Sequence, residues 1–168
     1  MAETNERTLK TRDRFTVRWV FGNITNELRR QLMAFWLREG ALDHPDEAWR
    51  RSWEVACVLD DVSSGEVGGI CTVAIALDER QRCYGFVRIY IGASNRHPGF
   101  NVRLMRQMIE GFEALAGEPG APQRLIATIE NRKIEGRGGQ RLLARVGFQP
   151  IGRTPQGEMI IERRLVAA

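Results

Sequence analysis

The stretch Tyr84–Asn101, which reads YGFVRIYIGASNRHPGFN, gives the strongest structural signal in this chain. Its first half, rich in β-branched and aromatic residues, predicts a strand. Gly92–Asn95 predicts a turn, and an amphipathic helix follows. A strand, a glycine-containing turn and a helix start together direct backbone N–H groups and the positive end of the helix at one point. Such a point binds phosphate, so we take this element as the first candidate for a functional site.

Length and composition predict one globular domain. The chain has 168 residues, 43% of them hydrophobic and 27% charged, as in an ordinary water-soluble protein. Residues 1–14 are polar and predict a flexible tail, and residues 15–168 predict a single domain. No apolar run approaches the ~20 residues that a membrane helix needs, so we expect no membrane partner and a cytoplasmic protein.

The cysteine pattern argues against a metal site. The three cysteines are odd in number and widely spaced, and each lies in an apolar, strand-like run. They form neither a disulfide framework nor a zinc motif. We therefore expect no metal and interpret the cysteines as small core residues, namely Cys57, Cys71 and Cys83.

The basic charge comes almost entirely from arginine. The net charge is +4, and only Lys10 and Lys133 are lysines. A compositional bias of the genome explains this, and so does recognition of phosphate or an acidic partner by guanidinium groups. The arginines are scattered along the whole chain and form no stripe, so a nucleic-acid partner is not expected.

The apolar periodicity predicts the element order β, α, α, β, β, β, α, β, α, β, β, with no internal repeat. Asp43, Pro45 and the acids after them predict the start of the second helix, with Asp43 as a cap. Residues 133–139 predict a flexible, glycine-rich connector. The predicted strands are Thr16–Phe21, Val55–Leu59, Val67–Leu77, Cys83–Ile91, Leu125–Ile129, Phe148–Arg153 and Met159–Leu165, and the predicted long helices are Thr25–Glu39 and Asn101–Ala116, with shorter ones around Trp49 and Leu143.

This order and two motifs resemble the GNAT superfamily of acyl-CoA-dependent N-acyltransferases. Arg96–Asn101 is similar to the family's loop Gln/Arg-x-x-Gly-x-Gly/Ala, and Ile89–Ile91 stands where the family has an apolar-aromatic-apolar triplet. Asn131, followed by Leu142–Phe148 with its final Gly-Phe, resembles the second family signature. A competing loop, Lys133-x-x-Gly136-x-Gly138, follows Asn131 too late and precedes too short a helix.

The resemblance implies a fold and a co-substrate. The fold class is α/β (α+β): a mixed, mostly antiparallel sheet of about six or seven strands, with helices on both faces and an opening between strands four and five. The co-substrate is acetyl-CoA or another acyl-CoA. Its pyrophosphate would lie at the start of the third helix and its pantetheine arm along the fourth strand. The implied cofactor-binding residues are Ile89, Tyr90, Ile91, Arg96, His97, Gly99, Phe100, Asn101, Val102 and Asn131.

Three positions depart from the family pattern. Pro98 has no N–H and therefore cannot donate to a phosphate. Asn101 replaces the final small residue, although asparagine is a good helix cap. Leu143 stands where many members have a tyrosine that protonates the leaving thiolate, and leucine cannot do this.

The function implied by the resemblance is transfer of an acetyl group from acetyl-CoA to a primary amine by direct attack. The ammonium, with a pKa near ~10, must first lose a proton. Glu130, at the end of the fifth strand, is the candidate base. Tyr90 is a further catalytic candidate and Asp78 a weaker one. The oxyanion would be held by a backbone N–H of the fourth strand, and a homodimer is expected from the family.

The acceptor region and two other functions stay open. Aromatic and acidic residues between Trp36 and Trp53 suit a cationic amine, but helix capping and tryptophans packed in the core are the preferred explanation. One alternative function is a degenerate, non-catalytic acyl-CoA-binding or regulatory module. The other is an arginine-rich binder of nucleic acid or an acidic protein, which salt-dependent binding to DNA would reveal.

Overall fold

The computed structural model describes residues 13–130 and 136–165, without the side chain of Pro98. The predicted element order is confirmed within these residues, and a short 3₁₀ turn (Ala93–Asn95) is added after the fourth strand. Strand Cys83–Ile91 has the predicted bounds. The strands are β1 (Phe15–Trp19), β2 (Val55–Asp61), β3 (Glu66–Leu77), β4 (Cys83–Ile91), β5 (Arg124–Ile129), β6 (Gln149–Arg153) and β7 (Met159–Arg164), and the helices are α1 (Asn26–Arg38), α2 (Pro45–Ser52), α3 (Pro98–Leu115) and α4 (Arg137–Arg145).

Three helix starts differ from the predictions. Helix α3 begins at Pro98 and not at Asn101, because proline is well suited to the first helical position, where an N–H would have no partner. Helix α4 begins at Arg137, so the predicted flexible connector ends earlier than expected. Helix α2 is preceded by His44, which makes no side-chain capping hydrogen bond, and the predicted cap at Asp43 is therefore wrong.

The seven strands form one mixed sheet in the order β1-β2-β3-β4-β5-β7-β6. Every neighbouring pair is antiparallel except β4 and β5, which are parallel. The β4–β5 ladder pairs only Tyr84–Phe86 with Arg124–Ile126. Beyond Phe86 the two strands separate, which confirms the predicted opening between strands four and five.

Two apolar clusters cover the two faces of the sheet. Leu104, Met108 and Phe112 of α3 pack on one face, in the same cluster as Leu143 of α4. Leu32 and Phe35 of α1 pack with residues of β2 and β3 in the second cluster. Because alternate residues of a strand face opposite sides, these clusters confirm the predicted helices on both faces.

Two of the three cysteines are core residues. Cys57 and Cys71 are fully buried, and burial raises the pKa of the Cys57 thiol to about 12. Cys83 is only half-buried, and its Sγ lies 3.7 Å from the carbonyl oxygen of Gly120. The interpretation as a core residue is therefore wrong for Cys83, because β4 begins at this residue, at the edge of the core. No helix among the described residues is long and apolar enough to cross a membrane.

Candidate functional site

A cleft of about 620 Å³ runs through the opening between β4 and β5. One side is lined by residues of α3 and α4, and the other by residues at the α1 and α2 end. A ligand in this cleft therefore touches both faces of the sheet. The lining includes Val102 and Met105 of α3, Leu142 and Leu143 of α4, Ile89 and Tyr90 of β4, Ala127 and Ile129 of β5, and Trp36, Leu42, Arg51 and Arg88 on the other side.

The backbone of β4 presents N–H groups to this cleft that pair with no strand among the described residues. The N–H of Gly92 donates to the carbonyl of Gly68 at 2.9 Å, and the pairing of β3 with β4 continues from there without a bulge. Successive residues of an antiparallel strand alternate between bonding and not bonding to the same neighbour. The N–H groups of Ile89 and Ile91 therefore point away from β3, towards the opening, where β5 no longer pairs with β4.

The same alternation turns the backbone of Tyr90 towards β3, where Ile70 is its partner. Within the predicted triplet, Ile89 and Ile91 thus form the open edge. Tyr90 contributes its side chain, which lines the cleft on the α1 side. Its hydroxyl donates to the carbonyl of Glu39 at 3.4 Å, and its ring packs edge-on against Phe35 at 6.0 Å. The predicted catalytic role of Tyr90 stays a prediction.

The start of α3 offers fewer amides than a full phosphate loop. Pro98 occupies the first helical position, and the N–H of Phe100 donates to the carbonyl of His97 at 3.0 Å. The Phe100 side chain is buried against Phe15, with ring centroids 4.7 Å apart. Gly99 has an ordinary φ, and a Cβ placed on it would meet no atom within 4 Å. A tight turn therefore does not require this glycine, which is exposed in the first turn of α3.

The two residues before α3 lie at its exposed end. Arg96 is directed at the end of β4: its Nε donates to the carbonyl of Ile91 at 3.3 Å, and its Nη2 lies 3.5 Å from the Tyr90 hydroxyl. His97 is exposed, with its ring 5.5 Å from that of Phe100. Both stay predicted phosphate contacts, and both immediately precede the first turn of α3.

The remaining predicted residues are brought together in the cleft. Asn101 and Val102 of α3 and Glu130, which follows β5, all line it. Leu143 also lines the cleft and is 6% exposed, so the position of the family's tyrosine faces the predicted site. Asn131 lies outside the described residues.

Arginines, and not most of the acidic and aromatic residues weighed for an acceptor site, line the cleft on its α1–α2 side. Of the aromatic and acidic residues weighed for this region, only Trp36 lines the cleft. Trp49 and Trp53 are 52% and 58% exposed, so the alternative of tryptophans packed in the core is wrong for both. The two rings pack edge-on against each other, with centroids 5.6 Å apart. Arg51 and Arg88 line the cleft instead.

Sequence reasoning missed Glu39, which fixes the turn after β4. Its carboxylate accepts a hydrogen bond from the Ala93 N–H at 3.2 Å, and a Cβ on Gly92 would lie 3.0 Å from its Oε1. Gly92 therefore leaves space for this contact. An acid at the end of a helix carries no local signal for such a role. The contact joins residues 54 positions apart.

Comparison with known proteins identifies the fold. No protein-family model and no curated protein matches the sequence. A GNAT-superfamily phosphinothricin acetyltransferase from Sinorhizobium meliloti, solved with acetyl-CoA, matches 90% of this chain and 89% of its own, with 18% identity and a TM-score of 0.65. The chain has the GNAT fold.

Two further structures agree with this assignment. A GNAT-family acetyltransferase from Streptococcus pneumoniae covers 90% of this chain and 99% of its own, with 16% identity and a TM-score of 0.63. A putative acetyltransferase from Salmonella typhimurium, solved with its cofactor acetyl-CoA, covers 92% and 96%, with 15% identity and a TM-score of 0.63. Among the described residues of this GNAT-fold chain, no group of histidine, cysteine and acidic side chains could hold a metal ion.

Proposed function

We propose that this GNAT-fold protein transfers an acetyl group from acetyl-CoA to a primary amine. The observation that supports this most is the unpaired edge of β4 at Ile89 and Ile91, which faces a cleft open to both sheet faces. A cleft reached from two sides lets two substrates meet at one strand. The Sinorhizobium meliloti and Salmonella typhimurium proteins, which share this fold, were solved with acetyl-CoA.

The residues at the opening suit acetyl-CoA. The amide groups of the pantetheine arm need backbone partners, and the free N–H groups of Ile89 and Ile91 provide them. The pyrophosphate is proposed to lie at the start of α3, where the Gly99 N–H and the positive helix end favour an anion. Arg96 and His97 lie beside this point, and Asn101 and Val102 form the adjoining wall of the cleft.

Glu130 is proposed as the base. It is exposed and lines the cleft at the end of β5, and its carboxylate would take a proton from the ammonium directly or through a water molecule. Acetyl-CoA supplies a thioester that a neutral amine attacks. The Ile89 N–H, directed into the opening, would stabilise the negative charge that develops on the thioester carbonyl oxygen. Leu143 gives no proton to the leaving thiolate, which would receive one from water or another residue.

Release of free thiol from acetyl-CoA over a panel of primary amines tests this proposal. We expect amine-dependent release that falls at least about tenfold in Glu130→Gln, since general bases contribute about 10²–10⁴ in rate. Glu118→Gln, an exposed residue of the loop between α3 and β5 that does not line the cleft, is the matched control and should leave the rate unchanged. Binding of acetyl-CoA without release from any amine would contradict the catalytic proposal.

A non-catalytic acyl-CoA-binding module is the second candidate. It is favoured by one observation, the buried Leu143 at the cleft position where the family has a proton donor. This candidate predicts binding of acetyl-CoA with no thiol release from any amine of the panel. The assay above therefore separates the two functions.

A further inference from the structure

We infer that the acceptor amine also carries an anionic group, such as a carboxylate, which Arg51 and Arg88 bind. This inference rests on the proposed acetyl transfer and names the class of acceptor for the same site. It starts from the side of the cleft opposite α3 and α4, where both guanidinium side chains line the wall.

Arg88 is held in place but is not neutralised by a hydrogen bond. It lies on the face of β4 opposite Ile89, across from the buried Thr72 of β3, and its guanidinium stacks at 4.7 Å from the centre of the Phe86 ring. Its nearest described carboxylate is that of Glu54, at 4.0 Å, which is too far for a hydrogen bond. Its fork of N–H donors is therefore available to a ligand.

Arg51 is anchored at one end only. Its Nε donates to Glu47 at 2.9 Å, a contact that also lowers the pKa of the Glu47 carboxyl. No hydrogen bond to a described residue engages its two terminal nitrogens, and the residue lines the cleft. An arginine fixed through Nε presents the rest of its planar fork to one side, which suits a carboxylate.

Among the described residues that line the cleft, two charged side chains are basic, Arg51 and Arg88, and one is acidic, Glu130, which favours an anion on the arginine side. Glu47 and Glu54 lie near the arginines but do not line the cleft, and Glu130 lines it from the β5 side. Trp36, Leu42 and Ile70 give this wall apolar surface, and Thr72 and Tyr90 add two hydroxyl groups. An acceptor with an apolar body, an amine directed at Glu130 and an anionic group directed at Arg51 and Arg88 matches this distribution.

Matched acceptors that differ only in a carboxylate test the inference. Leucine is compared with 3-methylbutylamine, and phenylalanine with phenethylamine, by thiol release, with kcat/KM expressed per unprotonated amine. We expect the amino acids to be preferred by about 10- to 100-fold, the range of a charge-assisted hydrogen-bond pair. In Arg88→Gln and Arg51→Gln this preference should fall towards one. Arg30→Gln, an exposed arginine of α1 outside the cleft, should keep it.

A binding measurement separates this inference from the proposed function. The affinities of N-acetyl-leucine and N-(3-methylbutyl)acetamide, measured by calorimetry in the presence of CoA, need no turnover. Tighter binding of N-acetyl-leucine that depends on Arg88 supports the anion site, even if no amine is acetylated. Equal binding of the two products, or a preference that survives Arg88→Gln with an unchanged melting temperature, overturns it, even if both amines are good acceptors.

Discussion

At the scale of single residues, a substitution of Gly99 can test cofactor binding without affecting folding. Its φ is ordinary and its Cβ would meet no atom within 4 Å, so Gly99→Ala should leave the melting temperature unchanged or raise it slightly. The added methyl group lies beside the N–H proposed for the pyrophosphate. We expect the affinity of the Gly99→Ala variant for acetyl-CoA, measured by calorimetry, to fall about tenfold or more, which is ~1.4 kcal/mol.

The control for this change is Gly152→Ala on β6. Gly152 has equally open space around its Cβ position but does not line the cleft. The Gly152→Ala variant should keep the wild-type affinity for acetyl-CoA. Wild-type affinity in Gly99→Ala would show that the start of α3 does not approach the cofactor.

Asp61 is a second residue with a specific consequence, here for stability against acid. The Arg14 side chain donates to its carboxylate at 2.6 Å, and this contact holds the Asp61 pKa well below its usual range. A lowered pKa stabilises the fold above the unfolded value of about 4, and this stability is lost as the pH falls further. Asp61→Asn should therefore lower the melting temperature at pH 7, and the difference from wild type should shrink below about pH 3.

The matched control is Asp60→Asn on the same strand. Asp60 pairs with Arg18, whose side chain is 49% exposed, and such surface pairs contribute little. Its effect at pH 7 should be smaller than that of Asp61→Asn. If Asp61→Asn lowers the melting temperature by the same amount at pH 3 and pH 7, packing and not the charge of Asp61 is responsible.

At the scale of elements, the separation of β4 from β5 predicts different hydrogen-exchange rates for neighbouring backbone amides of β4. The Tyr90 N–H is bonded to β3, whereas the Ile89 N–H faces the opening. Amide hydrogen exchange followed by NMR should show Ile89 exchanging faster than Tyr90 in the free protein. Acetyl-CoA should slow exchange at Ile89 and leave Tyr90 almost unchanged. Equal protection of the two amides in the free protein would contradict the open edge.

The sequence predicts the order of the helices and strands better than it predicts the site. Periodicity predicted every helix and strand in order, and β4 had its observed bounds, because its β-branched run is bordered by turn residues. The predicted start of α3 is three residues too late because the loop motif covers all of Arg96–Asn101, including Pro98. In the structure it is the first helical residue.

The site was less predictable than the fold, for physical reasons. The residues of the Ile89–Val102 segment are local in sequence, so their placement around the cleft was accessible. Glu39, Arg51 and Arg88 were missed because their roles depend on contacts between distant elements. The exposure of Trp49 and Trp53 depends on how the chain around α2 packs on the rest of the fold, which composition does not reveal.

At the scale of the whole molecule, the arginine-rich composition has a structural explanation besides recognition of nucleic acid. Guanidinium groups join separate elements: Arg124 bridges Asp78 and Glu162, and Arg163 binds Glu113 of α3 at 2.8 Å. These pairs are spread over the sheet and form no single basic face. Binding of DNA is therefore not part of the proposed function, and the expected homodimer and cytoplasmic location stay predictions.

The central claim, that the opening between β4 and β5 binds acetyl-CoA, is tested most directly by thermal unfolding with and without acetyl-CoA, using NAD and ATP as controls. Acetyl-CoA at ~100 times its dissociation constant should add ~2.7 kcal/mol, which raises the melting temperature by about 5–10 °C for a domain of this size. Neither control should give this shift, and Gly99→Ala should need more ligand to reach it. No shift at millimolar acetyl-CoA, or the same shift with ATP, would contradict the claim.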